Sequence, residues 1–178
     1  MKRTWIAMFS HSGGEIESIS TKLKRYPDKI ITNQIPGRFE CALKEYVEIN
    51  YSRRKPEPVE YHRMFARGEP IVTLHGWMRI IPGIICDEYD IYNLHPGDIV
   101  KYPELKGKDP QQRAWDDEYK TVGCVLHRAI GEVDSGDIVQ RRWTRNKFDT
   151  FEDMNNKLRA LSEDMWVKFL HEELDKEV

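Results

Sequence analysis

The sequence is short of cysteine: it has three, Cys41, Cys86 and Cys124, too far apart for a zinc knuckle or a CxxC redox pair. Their odd number, with no signal-peptide pattern, points to reduced thiols buried as small apolar residues in a cytoplasmic protein. No apolar run approaches the ~20 residues of a membrane span, so no membrane partner is expected. Internal repeats and low-complexity tracts are lacking. So is any cluster of His and Cys with the spacing of a metal site, and no metal is expected. An excess of either charge is missing too. The net charge of −2 gives no reason to expect nucleic acid as the main partner. What is present is a globular balance, with 33% charged and 39% hydrophobic residues in 178. That length fits one domain over 1–178 with a core of ordinary size; oligomeric state stays open.

Trp5-Ile6-Ala7-Met8-Phe9 is a continuous apolar run, as expected of a central parallel strand buried on both faces. It runs into Ser10-His11-Ser12-Gly13-Gly14-Glu15. A helix then fits 15 to about 25, with Ile16, Ile19 and Leu23 on one stripe and Pro27 as its stop. A second strand fits 29–32. From Phe39, the residues Leu43, Tyr46, Val47 and Asn50 follow helical spacing. A basic, proline-bearing connection covers 52–58, and a short helix fits 59–66. The third strand is 71–74. Ile80, Ile81, Ile84 and Ile85 suggest a short helix opened by Pro82. The fourth strand, 90–95, stops at Pro96 and Gly97. A long loop to 109, a helical turn at 111–115 and strands at 121–130 and 138–143 follow. The last helix keeps the three-and-four spacing through Phe151, Met154, Leu158, Leu161, Met165, Phe169 and Leu170. The pattern predicts an α/β fold: a doubly wound, mainly parallel sheet with an antiparallel C-terminal part and a closing helix.

Asn93 and His95 are two apart on the fourth strand, so both side chains point to one face near its end. In an open α/β sheet that end borders the ligand crevice. An amide donor beside an imidazole can hold an oxyanion or move a proton; the plainer alternative is a polar strand end. The Gly13-Gly14 pair, where the first strand meets a helix start, offers N–H groups and the positive dipole end to an anion, or is simply a tight turn. Glu15 competes for the same donors. Gly131-Glu132-Val133-Asp134-Ser135-Gly136-Asp137 reads as an acidic, solvated turn unless the fold carries Asp134 to Asn93 and His95.

Taken in order, several motifs match one family. They are Leu74-His75-Gly76-Trp77-Met78-Arg79-Ile80-Ile81-Pro82, Tyr92-Asn93-Leu94-His95-Pro96, Gln112-Arg113-Ala114, Gly123-Cys124-Val125-Leu126-His127 and Val133-Asp134-Ser135-Gly136-Asp137-Ile138-Val139. The chain resembles the folate-dependent formyltransferases, the group of glycinamide ribonucleotide formyltransferase and the catalytic domain of methionyl-tRNA formyltransferase. Asn-x-His-Pro followed later by Asp-x-Gly is the specific core of the likeness. The resemblance implies a Rossmann-like formyltransferase fold, and N10-formyltetrahydrofolate as donor of a formyl group to an amine, with no metal. It implies that Asn93 and His95 face the oxyanion of the tetrahedral intermediate, while Asp134 orients His95 and helps remove the proton. Leu74, Met78, Arg79, Ile80, Ile81, Ile91, Ala129, Gly131 and Val133 match the folate pocket, although the apolar ones also suit plain core packing. Ser12, Gly13, Gly14, Glu15, Pro96 and Gly97 match the acceptor side. His127 matches a family histidine in a supporting role.

The sequence departs from the family at three places. The C-terminal barrel of methionyl-tRNA formyltransferase is missing, so tRNA is not expected as a partner, and the near-neutral charge agrees. Gly14-Glu15 replaces the Ser-Asn that ends the phosphate loop of the glycinamide ribonucleotide enzymes, which disfavours that substrate. Gly97-Asp98-Ile99-Val100 replaces Ser-Leu-Leu-Pro and puts an acid next to the active site. The expected acceptor is therefore a small amine, a nucleotide or an amino-sugar nucleotide. The alternatives are hydrolysis of the formyl-folate and a non-catalytic folate- or nucleotide-binding module.

Overall fold

Among the described residues, seven strands form one sheet: β1 (Trp5–Phe9), β2 (Lys29–Thr32), β3 (Ile49–Tyr51), β4 (Ile71–His75), β5 (Asp90–His95), β6 (Thr121–Arg128) and β7 (Ile138–Arg145). The computed structural model describes residues 3–36, 42–65 and 68–176. Spatial order is β3-β2-β1-β4-β5-β6-β7. The first five strands run parallel and the last two antiparallel. β1 and β4 are buried at every position, as strands covered on both faces must be.

Among the described residues there are five α-helices: α1 (Gly14–Leu23), α2 (Pro58–Phe65), α3 (Gly83–Glu88), α4 (Pro110–Asp116) and α5 (Phe151–Leu174). One core joins Trp5, Ala7 and Phe9 to Ile16 and Ile19 of α1 and to Met165, Trp166 and Phe169 of α5. The other joins Ile6, Met8, Val72, Leu74 and Ile91 to Tyr61 and Phe65 of α2 and Ile85 of α3. Alternate residues of each strand thus feed opposite faces, so β5 sends Tyr92 against Phe169, ring centroids 4.6 Å apart, and Ile91 to the α2–α3 side.

Several boundaries differ from the sequence reading. Leu43 to Asn50 is not an α-helix: a short 3-10 helix, Ala42–Glu45, leads to β3, which carries Asn50. Phe39 and Ala66 lie outside the described residues. The four isoleucines at 80–85 do not share one helix, because Pro82 is extended, with ψ 138, and α3 starts only at Gly83. Ile81 and Ile85 are buried, whereas Ile80 and Ile84 are exposed. α1 stops two residues early, where Lys24 turns left-handed at φ 54. β6 ends at Arg128 and β7 runs on to Arg145. α5 starts as its pattern requires, with the Thr150 hydroxyl accepting from the Asp153 N–H at 3.1 Å.

Candidate active site

Sheet register builds the polar cluster. Asn93 and His95 leave β5 on one face, and antiparallel pairing sets Asn93 opposite His127 of β6. The turn between β6 and β7 then brings Asp134 over them, with its backbone left-handed at φ 49; for a residue with a side chain that conformation costs about 1 kcal/mol. Every contact converges on its carboxylate. His95 Nδ1 lies 3.1 Å from Oδ2, His127 Nε2 3.4 Å from Oδ1, and Asn93 Nδ2 donates to Oδ1 at 3.4 Å. The Gly107 N–H donates to Oδ2 at 2.9 Å. Burial works against the charge of Asp134. The hydrogen bonds from His127 and His95, the charge of His95 and the Gly107 N–H outweigh it, and hold the carboxyl well below the usual carboxylate range.

The other hydrogen bonds constrain where the protons sit. His95 Nε2 lies 2.8 Å from the Leu105 carbonyl, so both its ring nitrogens face acceptors and each bond needs an N–H. His127 Nδ1 faces the Arg128 carbonyl at 3.0 Å and must donate to it. Its Nε2 then accepts from Asn93 Nδ2, 3.2 Å away, or, when protonated, donates to Asp134. The cluster is thus closed on itself. An incoming oxygen has to take over donors that now serve Asp134.

The folate residues implied by the family divide into two sets. Leu74, Ile81 and Ile91 are 6%, 4% and 0% exposed and belong to the α2–α3 core. Ile91 can back a pocket but not touch its contents. Met78, Ile80 and Val133 are exposed. Ile84 and Ile130, which the sequence reading did not include, are exposed beside them. A Cβ on Gly131 would stand 3.1 Å from the Gly83 Cα, so the two loops touch through glycine backbone and align these side chains. Ala129 is tied to the sheet by its N–H on the Ile91 carbonyl at 2.7 Å. Arg79 turns its Nε onto the Arg54 carbonyl at 2.7 Å.

On the acceptor side, Ser12 and Gly14 are exposed at the start of α1, and Gly13 caps it with φ 70 and no side-chain cap. β4 alone separates this loop from β5, a distance of about 10 Å at ordinary strand spacing. Glu15 does not face the loop's donors. Its Oε2 meets His75 Nδ1 at 2.8 Å, and its Oε1 accepts from the Ser162 hydroxyl of α5 at 2.5 Å. Burial raises its pKa, but the bonds from His75 and Ser162 and the charges of His75 and Arg159 bring it below the ordinary value. His75 in turn meets the Thr73 hydroxyl, which accepts from the Trp5 indole, each at 2.8 Å.

Asp98, expected beside the site, points away from it. It is completely buried in a two-pronged ion pair with Arg141 of β7, at 2.7 and 2.8 Å. Gly97 is buried as well, and a Cβ there would lie 3.0 Å from the His95 ring and 2.9 Å from Pro110. It lets the loop pass over His95 rather than offering a surface, while Pro96 keeps partial exposure.

The family pattern described as formyl transferase matches residues 11–170. The chain belongs to that family. The methionyl-tRNA formyltransferase of Thermotoga neapolitana is 34% identical over 84 residues, 47% of this chain and 26% of that protein. The phosphoribosylglycinamide formyltransferase of Dictyostelium discoideum is 34% identical over 80 residues, 39% of this chain and 37% of that one. The matches therefore span about a quarter of the first relative's length and little more than a third of the second's. In fold, the phosphoribosylglycinamide formyltransferase of Bacillus halodurans superposes with a TM-score of 0.82 at 22% identity, over 98% of this chain and 96% of that one.

The residues to which sequence reasoning gave no role at the site are His75, Ser162, Arg113 and Ile84. His75 and Arg113 stand inside quoted motifs, but those motifs assign them no role; Ser162 and Ile84 carry no motif signal, and His75 and Ser162 meet Glu15 from far along the chain. No group of three or more His, Cys, Asp or Glu fit for a metal occurs among the described residues, and no helix there is long and apolar enough to cross a membrane.

Proposed function

We propose that this formyl transferase moves the formyl group of N10-formyltetrahydrofolate to the amine of a small acceptor. The observation that carries the reading is the convergence of Asn93, His95 and His127 on the buried Asp134 carboxylate. The amine nitrogen bonds to the formyl carbon, and the carbonyl oxygen gains negative charge. Asn93 Nδ2 and a His95 N–H move from Asp134 to that oxygen, which is usually the largest catalytic term. Asp134, while held by two histidines, is too weak a base to accept a proton. Once Asn93 and His95 turn to the oxyanion its basicity rises, and it takes the proton from the attacking nitrogen directly or through water. The bond from carbon to N10 then breaks, and N10 takes up a proton as tetrahydrofolate leaves.

The exposed apolar set Met78, Ile80, Ile84, Ile130 and Val133 suits the flat donor. The start of α1, where Gly13 supplies no side-chain cap and the Gly14 N–H reaches only the Ser12 hydroxyl at 3.5 Å, suits an anionic group of the acceptor. A nucleotide or an amino-sugar nucleotide fits that description. Because Glu15 is bound to His75 and Ser162, its charge is a weaker argument against glycinamide ribonucleotide than its place in the sequence suggests. The net charge of −2 argues against tRNA.

Calorimetry with a 5-deazatetrahydrofolate analogue tests the donor. Release of tetrahydrofolate is then followed without amine and with glycinamide ribonucleotide, amino-sugar nucleotides and initiator methionyl-tRNA in turn. Binding plus amine-dependent release is expected. Release independent of amine would mark a hydrolase. No folate binding with or without any of these amines would overturn the reading.

A further inference from the structure

Arg113 lies on α4, outside the polar cluster, yet it grips the stretch of main chain on which the cluster rests. Its Nη1 donates to the Glu104 carbonyl at 2.6 Å, and its Nη2 to the Leu105 and Lys106 carbonyls at 2.9 and 2.8 Å. The Leu105 carbonyl is shared, since it also takes His95 Nε2 at 2.8 Å. Immediately after the clamped carbonyls, the Gly107 N–H reaches Asp134 at 2.9 Å. Residues 104–107 therefore touch both His95 and Asp134 through backbone alone. The guanidinium binds three of their carbonyls at once, a spread that a planar fork of donors covers and a point-like ammonium cannot.

The Leu105 carbonyl is an acceptor only, so it demands an N–H at His95 Nε2 and leaves Nδ1 to Asp134, 3.1 Å away. We infer that Arg113 is a positioning residue: by fixing the Leu105 carbonyl it locks the His95 ring and the proton on its Nε2. The lock keeps Nδ1, the nitrogen beside Asp134, as the end of the ring that serves the reaction. The kinetic consequence rests on the function proposed above; the lock itself does not.

The test compares wild type, Arg113→Gln and Arg113→Lys by proton and nitrogen NMR of the His95 ring, assigned with His95→Asn. In wild type the Nε2–H gives a low-field signal in slow exchange with water. In Arg113→Gln its exchange accelerates about tenfold or more, the equivalent of one net hydrogen bond, with the circular dichroism unchanged. Arg113→Lys falls between the two, because an ammonium holds fewer of the carbonyls. In turnover, Arg113→Gln lowers kcat about tenfold, as misplaced catalytic groups do, and leaves the KM for the folate donor unchanged. A folded Arg113→Gln with wild-type exchange at Nε2 overturns the inference. If that variant does not fold, wild-type exchange in Arg113→Lys overturns it instead. If the wild type neither binds nor turns over folates, the proposed function fails, and the exchange comparison still decides the role of Arg113.

Discussion

Removing Arg141 should harm the protein more than removing its partner Asp98, although the two form one ion pair. The reason is unequal burial. The Asp98 carboxylate is wholly buried, and its two oxygens meet the Arg141 Nε and Nη2 at 2.7 and 2.8 Å. The Arg141 side chain keeps 32% of its surface, and its bond to Asp98 raises its pKa further. Arg141→Met strands a carboxylate in a dry site, which costs about 3–5 kcal/mol. Asp98→Ala frees a guanidinium that can turn to water, so the loss is that of charge-assisted hydrogen bonds, about 1–3 kcal/mol. Urea unfolding followed by tryptophan fluorescence measures both, and the five tryptophans supply the signal. At equal slope, the gap of about 2 kcal/mol corresponds to roughly 4–8 °C in Tm for a chain of this size. The double variant Asp98→Leu/Arg141→Met should lie close to wild type, since it removes both charges together. If Asp98→Ala is as damaging as Arg141→Met, or the double variant is worse than either, the burial argument is wrong.

Asn93→Ala and Asp134→Asn should each lower turnover about a hundredfold with the folate analogue still bound, the scale of a lost oxyanion donor or proton acceptor; near-normal rates in either would reject the assigned roles. Gly97→Ala puts a methyl group against the His95 ring and Pro110, and should cost about 1–3 kcal/mol by overpacking. An unchanged urea midpoint would show that this loop yields freely. Asp134 and Glu15 both have carboxyls depressed in the folded state, so the stability they confer is present above the unfolded carboxylate pKa of about 4 and lost as pH falls below it. Asp134→Asn and Glu15→Gln should therefore flatten the acid side of a plot of urea midpoint against pH, and a curve as steep as the wild type's in both would contradict the pairing.

Residue order by itself determined the parts of this protein that depend on local pattern. The apolar run at Trp5 had no polar face to expose, so it became a strand buried on both sides. The spacing from Phe151 to Leu170 left one apolar stripe, and it became the long helix. The alternation around Asn93 and His95 put both on one face, and the order of motifs pointed to the formyltransferases. Other features were decided only when distant segments met. β3 is three residues long and exists through its pairing with β2, so helical spacing misread it. Asp98 and Glu15 sit next to motif residues in the chain, yet they turn to Arg141 and to His75 with Ser162. A buried carboxylate goes where donors and counter-charge can replace water, and chain neighbours do not supply them here. His127 and Arg113 stood in the family's motifs, but their contacts came from the fold: strand register sets His127 opposite Asn93, and Arg113 binds three backbone carbonyls. Hydrogen bonds of that kind depend on distances in the folded chain, which no spacing of residue types records.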